Sequence, residues 1–397
     1  MDILIIAHFS GPLDGRGNGR FLYLAELLAG EHEVELVTTD FSHGTKKKRQ
    51  PPAPGFHTKI TMLHESGYPK NVCLKRFFSH HEFGKNVAAY LQQRKKPDVI
   101  YCGVPSLDCA LAAAEYCRKN NVRFVIDVQD LWPEAFRMVF HVPLLSDLIF
   151  APMEHMANRI YKTADEICAV SQTYANRALS VNPKCTLAHS VYLGTSLADF
   201  DRYRKEGQMP DKPENEVWMG YVGTLGHSYD LTGVLNAMEL LQKRGITNLK
   251  FLVMGDGPLR QRFEVLAKEK NLTVIFTGML SYDEMVPALC TCDFAINPIM
   301  SGSAGSIINK VGDYAAAGLA VINTQECPEY RELVTSYQIG INCENGDITS
   351  LAEAMERLIL NKDHRRQFGS NNRRLAEERF DRTISYQELM DTLTGNT

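Results

Sequence analysis

The stretch Asn297–Thr324, NPIMSGSAGSIINKVGDYAAAGLAVINT, decides the fold class. An apolar, strand-like run at Asp293–Asn297 feeds a loop rich in Gly and Ser. A helix-like segment follows at about Ser306–Ala317, then Gly318 and a second strand at Leu319–Asn323. Strand, small-residue loop, helix and strand make a βαβ unit, and such units bind ligands at the carboxyl ends of their strands. Ser301, Gly302, Ser303, Gly305 and Ser306 are small enough to let backbone amides approach a diphosphate at a positive helix N-terminus. Lys310 and Asp313 lie one turn apart on one face of that helix, a cation suited to phosphate and a carboxylate suited to ribose hydroxyls. An ordinary loop with a solvated Lys/Asp pair has the same local pattern, so the rest of the chain must decide.

Upstream, the same unit recurs. Val217–Val222 reads as a strand followed by GTLGHSYDL and a helix at 232–243. Leu249–Met254 precedes GDGPLR and a helix at 259–269, and Thr273–Phe276 precedes TGMLS and a helix near 283–290. Four successive strand ends therefore carry small-residue loops, at Gly223, Gly255 and Gly257, Gly278, and Gly302 and Gly305. Turns alone do not account for four in a row; such loops line one edge of a parallel sheet.

The first half is built alike. Ile3–Ala7 is a buried-strand run, Gly11, Gly15, Gly17 and Gly19 make a loop, Phe21–Leu28 is helical, and Glu33–Thr38 is the next strand. The spacing is not the dinucleotide G-x-G-x-x-G and Asp40 is poorly placed for a ribose, so hydride-transfer chemistry is weakly supported, although Gly17 and Gly19 still present amides suited to phosphate. Residues 42–82 read as polar and irregular, with KKKR at 46–49 and Lys75-Arg76-Phe77-Phe78: a solvated loop, or a basic-aromatic patch for an anionic membrane surface. His80 and His81 are adjacent and hence splayed apart, which suits a helix start better than a metal site. Helices at 83–95 and 106–119 alternate with strands at Asp98–Cys102 and Arg123–Val128. The last of these ends in DVQDLWPEAF, where Asp127, Gln129, Asp130 and Trp132 stand just past a strand's carboxyl end; an N-capping Asp130 with Pro133 opening a helix is the plainer reading. Residues 137–162 are amphipathic, helical core or a groove for an apolar acceptor. Asp165–Val170 is a further strand, and the polar run 202–216 is the expected linker.

Bulk properties agree with two folded domains. The chain has 397 residues, 44% hydrophobic and 23% charged, with net charge -4, which gives no reason to expect nucleic acid. Residues 1–200 hold 22 Lys+Arg against 20 Asp+Glu, and the remainder 21 against 27, so the first half is slightly basic. Ten cysteines without metal spacing suit a reduced compartment. The N-terminus reads as a buried strand rather than a signal peptide, and no run is long and apolar enough to span a membrane.

The order of motifs resembles the retaining glycosyltransferases of family four, with the two-Rossmann GT-B fold, and within it the enzymes that build bacterial capsule and O-antigen. The likeness runs over nearly the whole chain: the opening glycine loop, DLWPE, ADEICAVS, LGTSLADFD, YVGTLG, VMGDGPLR, FTGML and DYAAAGLAV. It implies an α/β architecture of two Rossmann-like domains facing each other across a cleft. Residues 1–200 would take the acceptor and 214–379 a nucleotide-sugar, with a last helix (about 380–397) returning to the first domain.

The resemblance also implies roles. Gly278 and Met279 would lie by the base, Gly255 and Gly257 would line the cleft, and Asp313 would hold the ribose. This chain departs from the family at three points. Gly305 stands eight residues before Asp313, where the family has a glutamate. After YVG the usual Arg/Lys pair is replaced by Thr224 and Ser228/Tyr229, leaving Lys310, His227 or amides for the diphosphate. Gln129 replaces the first-domain histidine, leaving Asp127 and Asp130 as the ionisable candidates for catalysis.

The expected activity is metal-free, cofactor-free transfer with retention from a UDP-sugar to a saccharide acceptor. That acceptor would be lipid-linked, at the cytoplasmic face of the inner membrane. Departing diphosphate gains negative charge, and amides with a cation stabilise it. A sugar-nucleotide 2-epimerase of the same fold and a non-catalytic nucleotide-sugar sensor are the alternatives. The epimerase would act without acceptor; the sensor would bind nucleotide but show no release of it with any acceptor.

Overall fold

The computed structural model describes residues 1–13, 19–71, 73–139, 145–303 and 305–395. The chain divides into two compact units: Met1–Tyr192 with Tyr386–Thr397, and Leu193–Ser385.

The first unit is a seven-stranded sheet. In chain order its elements are β1 (Asp2–Ile6), α1 (Arg20–Leu28), β2 (Glu33–Thr39), the short hairpin β3 (Phe41–Ser42) and β4 (Lys47–Lys48), β5 (Lys59–Leu63), α2 (Leu74–Gln93), β6 (Val99–Val104), α3 (Leu107–Asn120), β7 (Arg123–Val128), α4 (Glu134–Val139), α5 (Leu145–Thr163), β8 (Glu166–Ala169), α6 (Gln172–Leu179) and β9 (His189–Ser190). The order across the sheet is β5-β2-β1-β6-β7-β8-β9, and the pairs are parallel. The central strands DILII and VIYCGV are buried along their whole length, as expected of a parallel sheet covered on both faces.

Residues 42–82 are more regular than their composition predicts. They hold β5, which pairs with β2 at the sheet edge, and the start of α2, nine residues ahead of the predicted helix. β5 is paired on one side and only half-buried, so it lacks a continuous apolar signature. The first turn of α2 has neither an acidic residue nor a side-chain cap, and it exposes Leu74 and Phe78; neither signal marks a helix start.

In the second unit the elements are α7 (Leu197–Glu206), β10 (Val217–Val222), α8 (Leu231–Lys243), β11 (Leu249–Met254), α9 (Arg260–Glu269), β12 (Val274–Gly278), α10 (Tyr282–Cys290), β13 (Phe294–Asn297), α11 (Lys310–Ala316), β14 (Ala320–Asn323), α12 (Pro328–Ser336), β15 (Gly340–Asn342), α13 (Ile348–Leu360) and α14 (Lys362–Leu375). The order is β12-β11-β10-β13-β14-β15, again parallel throughout. The strands preceding the four small-residue loops are four neighbours, so all four loops emerge along one edge.

Two boundaries differ from the sequence expectation. The polar run 202–216 begins inside α7, whose N-cap Ser196 accepts from the Asp199 amide, and the division between units falls earlier, after Tyr192. Helix α11 starts at Lys310, four residues later than predicted, and has seven residues. The β-branched pair Ile307-Ile308 disfavours a helical start, and Gln325 Nε2 donates to the Ser306 carbonyl at 2.6 Å, holding the turn outside the helix. The amides of Gly302, Ser303, Gly305 and Ser306 therefore do not belong to the first turn of α11, which starts at Lys310.

Candidate functional site

At the loop edge of the second unit, the Lys310 side chain is buried and its ammonium has no hydrogen-bond partner among the described residues. Nζ lies 3.9 Å from the centre of the Tyr229 ring and 4.1 Å from that of Tyr221, so two π-faces supply the attraction that an acid would otherwise give. Burial pushes the amine well below its ordinary value. Gly223 is needed here: a Cβ would lie 2.6 Å from Lys310 Nζ, and the residue has φ +140°.

The scaffold beneath is polar and registered. Asn297, Asn323 and Asn342 are in-register partners at the ends of β13, β14 and β15. Asn297 Nδ2 donates to Asn323 Oδ1 at 2.9 Å, and Asn323 Nδ2 to Asn342 Oδ1 at 2.8 Å. This ladder went unread in the sequence, although NP, NT and NC at three strand ends are its trace. Above it, Ser306 Oγ and Asn297 Oδ1 are buried without partners. Together with Lys310 Nζ they are unsatisfied polar atoms of the kind a ligand satisfies.

The other predicted residues take several roles. Thr224, His227, Ser303 and Gly305 are exposed on the loops, and Met279 is 81% exposed beyond β12. Gly278, at φ +80°, has Arg260 Nη1 3.1 Å from its notional Cβ. Gly255 and Gly257 serve the packing of one loop on another: a Cβ on Gly255 would fall 1.8 Å from Gly223 O, and one on Gly257 2.5 Å from Leu225 O. Asp313 is buried, accepts from Tyr282 Oη at 2.8 Å, and that hydroxyl also meets Thr195 Oγ1 at 2.7 Å. Burial pushes the Asp313 carboxyl up to about 6, against the Tyr282 hydrogen bond and the nearby Arg382 charge. Lys310 and Asp313, one turn apart, thus face different surroundings, and the carboxylate is already engaged by protein.

In the first unit, Gly17 lies outside the described residues. Gly19 is the N-cap of α1, and a Cβ there would sit 2.8 Å from Ser10 O. Asp127 corrects the expectation of a catalytic group. It is fully buried, pairs with Arg20 through Nε at 3.0 Å and Nη2 at 3.1 Å, and accepts from Gln129 at 2.6 Å. Burial works against the Arg20 charge, but Asp127 holds the guanidinium above its usual range. Its β7 position turns the carboxylate into the unit, where it ties α1 to the 191–192 segment through Arg20 and Val191 O (2.7 Å).

Asp130 is different. It accepts from Leu131 N (2.9 Å) and Trp132 Nε1 (3.1 Å), with Tyr174 Oη at 3.4 Å. Burial pushes its carboxyl up in spite of these donors. A carboxyl of raised pKa at a strand's carboxyl end suits proton transfer.

Beside it lies a cluster that sequence reasoning missed. His8, directly after β1, has Nδ1 2.6 Å from Ser106 Oγ and Nε2 2.8 Å from Glu65 Oε2. Glu65 also accepts from Thr39 and Ser79; burial raises its carboxyl, but these donors hold it below the usual range. His80 is buried in α2 while His81 pairs with Asp108 at the surface, as adjacent helical positions must. Among the described residues, His8, Glu65 and His80 have ligand atoms within 4.8 Å of one another. The signal for this cluster was a polar residue closing an all-apolar strand.

Comparison with known proteins fits this geometry. Residues 203–375 match the family described as Glycosyl transferases group 1. The whole chain aligns, at 22% identity and with all of both chains covered, to a protein of Escherichia coli K12 named as a colanic acid biosynthesis glycosyl transferase, WcaI. A Campylobacter jejuni N-acetylgalactosaminyltransferase, named for an undecaprenol-diphosphate-linked substrate, is 33% identical over 20% of this chain and 24% of its own. Among solved structures, Anabaena HepE in complex with UDP superposes with a TM-score of 0.71 at 16% identity, all of both chains covered.

Proposed function

From the premise that this chain is a transferase enzyme of GT-B fold with a glycosyl transferases group 1 domain, we propose that it moves a sugar from a UDP-sugar to a lipid-linked saccharide in surface polysaccharide assembly. Transfer proceeds with retention, and without metal or cofactor. Three likenesses support the choice: a colanic acid relative, a relative named for an undecaprenol-diphosphate substrate, and a structural neighbour holding UDP.

The observation that carries the reading is the buried, partnerless ammonium of Lys310. An uncompensated buried cation is costly, and a diphosphate repays that cost. As the glycosidic C–O bond breaks, negative charge grows on the diphosphate, and a preformed cation stabilises it without reorganisation. Retention follows if the acceptor hydroxyl attacks from the leaving-group face. Asp130 is the proposed group that orients or deprotonates that hydroxyl.

Among the described residues no helix is long and apolar enough to cross a membrane. Exposed Leu74, Phe77 and Phe78 flank Lys75 at the start of α2, and the proposal places them against the cytoplasmic face of the inner membrane. Titration calorimetry with UDP-, GDP- and ADP-glucose tests the donor. The expected result is UDP-glucose binding that Lys310→Met weakens at least about a hundredfold; equal binding by the two proteins overturns the reading.

A further inference from the structure

Arg76 in the first unit is 9% exposed and makes no ion pair among the described residues. Its Cζ lies 4.8 Å from the centre of the Trp132 ring and 5.7 Å from that of Tyr68. Nη1 donates to Asn71 O at 2.9 Å, while Nε is buried without a partner. His80 stacks on the same Trp132 at 5.7 Å, is 1% exposed, and leaves Nε2 without a partner. Lys46 completes the group, its Nζ 5.0 Å from the centre of the Tyr68 ring and bonded to His43 O and Asn71 Oδ1. Two carboxylates are near. Glu65 accepts from His8, Thr39 and Ser79, and Asp130 from Leu131, Trp132 and Tyr174.

We infer that Arg76, His80 and Lys46 form a phosphate-binding subsite for the acceptor, which therefore carries a phosphate or diphosphate ester; this rests on the acceptor half of the proposed function. An orphaned buried guanidinium N–H, an imidazole nitrogen that donates in its Nε2–H tautomer, and an ammonium suit an anion with several oxygens. A dication at His8, Glu65 and His80 would instead meet Arg76 and Lys46, both repulsive to it. The exposed Leu74, Phe77 and Phe78 on the same first turns of α2 favour an anion attached to an apolar chain.

The chain has two tryptophans, Trp132 and Trp218, and Trp218 lies in the second unit. Trp218→Phe therefore leaves Trp132 as the lone reporter of this subsite. In that background, inorganic pyrophosphate and geranyl diphosphate are titrated while Trp132 emission is followed, and UDP binding is measured in the same preparations by calorimetry. Saturable changes are expected, at least tenfold weaker in Arg76→Gln and partly restored in Arg76→Lys, with UDP affinity held within twofold. Geranyl diphosphate binding at least tenfold tighter than pyrophosphate supports a lipid-linked acceptor; equal binding identifies a free phosphate and overturns the assignment to the acceptor. Absence of a Trp132 response, or equal responses in wild type and Arg76→Gln, overturns it while UDP binding still reports on the donor reading. If Arg76→Gln fails to bind UDP, Arg76→Lys and His80→Gln decide by the same criterion. Zinc quenching of Trp132 that His80→Gln abolishes and Arg76→Gln leaves intact also overturns it.

Discussion

The ammonium of Lys310 rests 3.9 Å from the centre of the Tyr229 ring and, among the described residues, has no acid paired with it. A charge held this way lowers stability, and under the proposed function stability and UDP binding respond oppositely to its removal. Lys310→Met is expected to stabilise the ligand-free protein by about 1–3 kcal/mol at neutral pH while abolishing tight UDP binding. The pH dependence has a defined sign. Burial lowers the folded pKa below 10.5, so the cost is fully present at pH below the folded value. It is relieved as pH climbs toward 10.5, where the folded chain has shed a proton the unfolded chain retains. Denaturant midpoints from pH 7 to 10 should rise relative to those of Lys310→Met; parallel curves would exclude a buried titrating amine.

Asp313 responds in the other direction. Burial raises its carboxyl from 3.8 to about 6, so the folded chain holds a proton that the unfolded chain loses across this interval. Its contribution is most favourable below about pH 4 and is lost as pH rises to about 6, a swing of about 3 kcal/mol. In Asp313→Asn that swing should vanish while the Tyr282 hydroxyl keeps an acceptor. Chemical denaturation at pH 4.5 and 7 of both proteins measures the difference.

The two aspartates of the DVQD turn separate by experiment. Asp127→Asn leaves the Arg20 guanidinium buried beside a neutral amide, and a loss of about 3–5 kcal/mol is expected, with surviving protein turning over normally. Asp130→Asn keeps an oxygen for Leu131 N and Tyr174 Oη but turns an amide nitrogen toward Trp132 Nε1, so a loss of about 1–3 kcal/mol is expected, with turnover lowered by a factor of about 100 or more. Steady-state kinetics set beside melting curves distinguishes the two; a normal kcat in Asp130→Asn removes it from the mechanism.

What the residues disclosed, and what they withheld, follows from range. Central strands such as Ile3–Ile6 and the Phe251–Met254 part of β11 are apolar on both faces because helices cover both, so local pattern suffices. The half-buried edge strand β5 and the uncapped start of α2 are fixed by tertiary partners, and no local signal announces them. Site residues divide the same way. That a lone cation, Lys310, follows a small-residue loop was legible; its burial between Tyr221 and Tyr229 was not, because those rings come from another part of the chain. Asp127 was misread because its partner, Arg20, is 107 positions away. The His8–Glu65 pair spans 57 positions and is visible only once β1 and β5 are both threaded into one sheet.

Glycines of the four small-residue loops illustrate this best, and they can be ranked. Four loops read alike, yet a Cβ at Gly255 would meet the Gly223 carbonyl at 1.8 Å, whereas one at Gly302 meets nothing within 4 Å. Gly255→Ala must therefore push two loops apart, and a loss above about 4 kcal/mol is expected. Gly302→Ala carries only the cost of a positive φ, +68°, about 1 kcal/mol, which is a drop of about 2–4 °C in melting temperature. Gly223→Ala falls between in stability, but its Cβ lies 2.6 Å from Lys310 Nζ. It should displace the ammonium and weaken UDP binding about tenfold or more, out of proportion to its stability loss. Melting temperatures and UDP titrations on the three variants check the ranking. A Gly223→Ala protein with unchanged UDP affinity would show that the position of Lys310 between Tyr221 and Tyr229 has no bearing on the nucleotide.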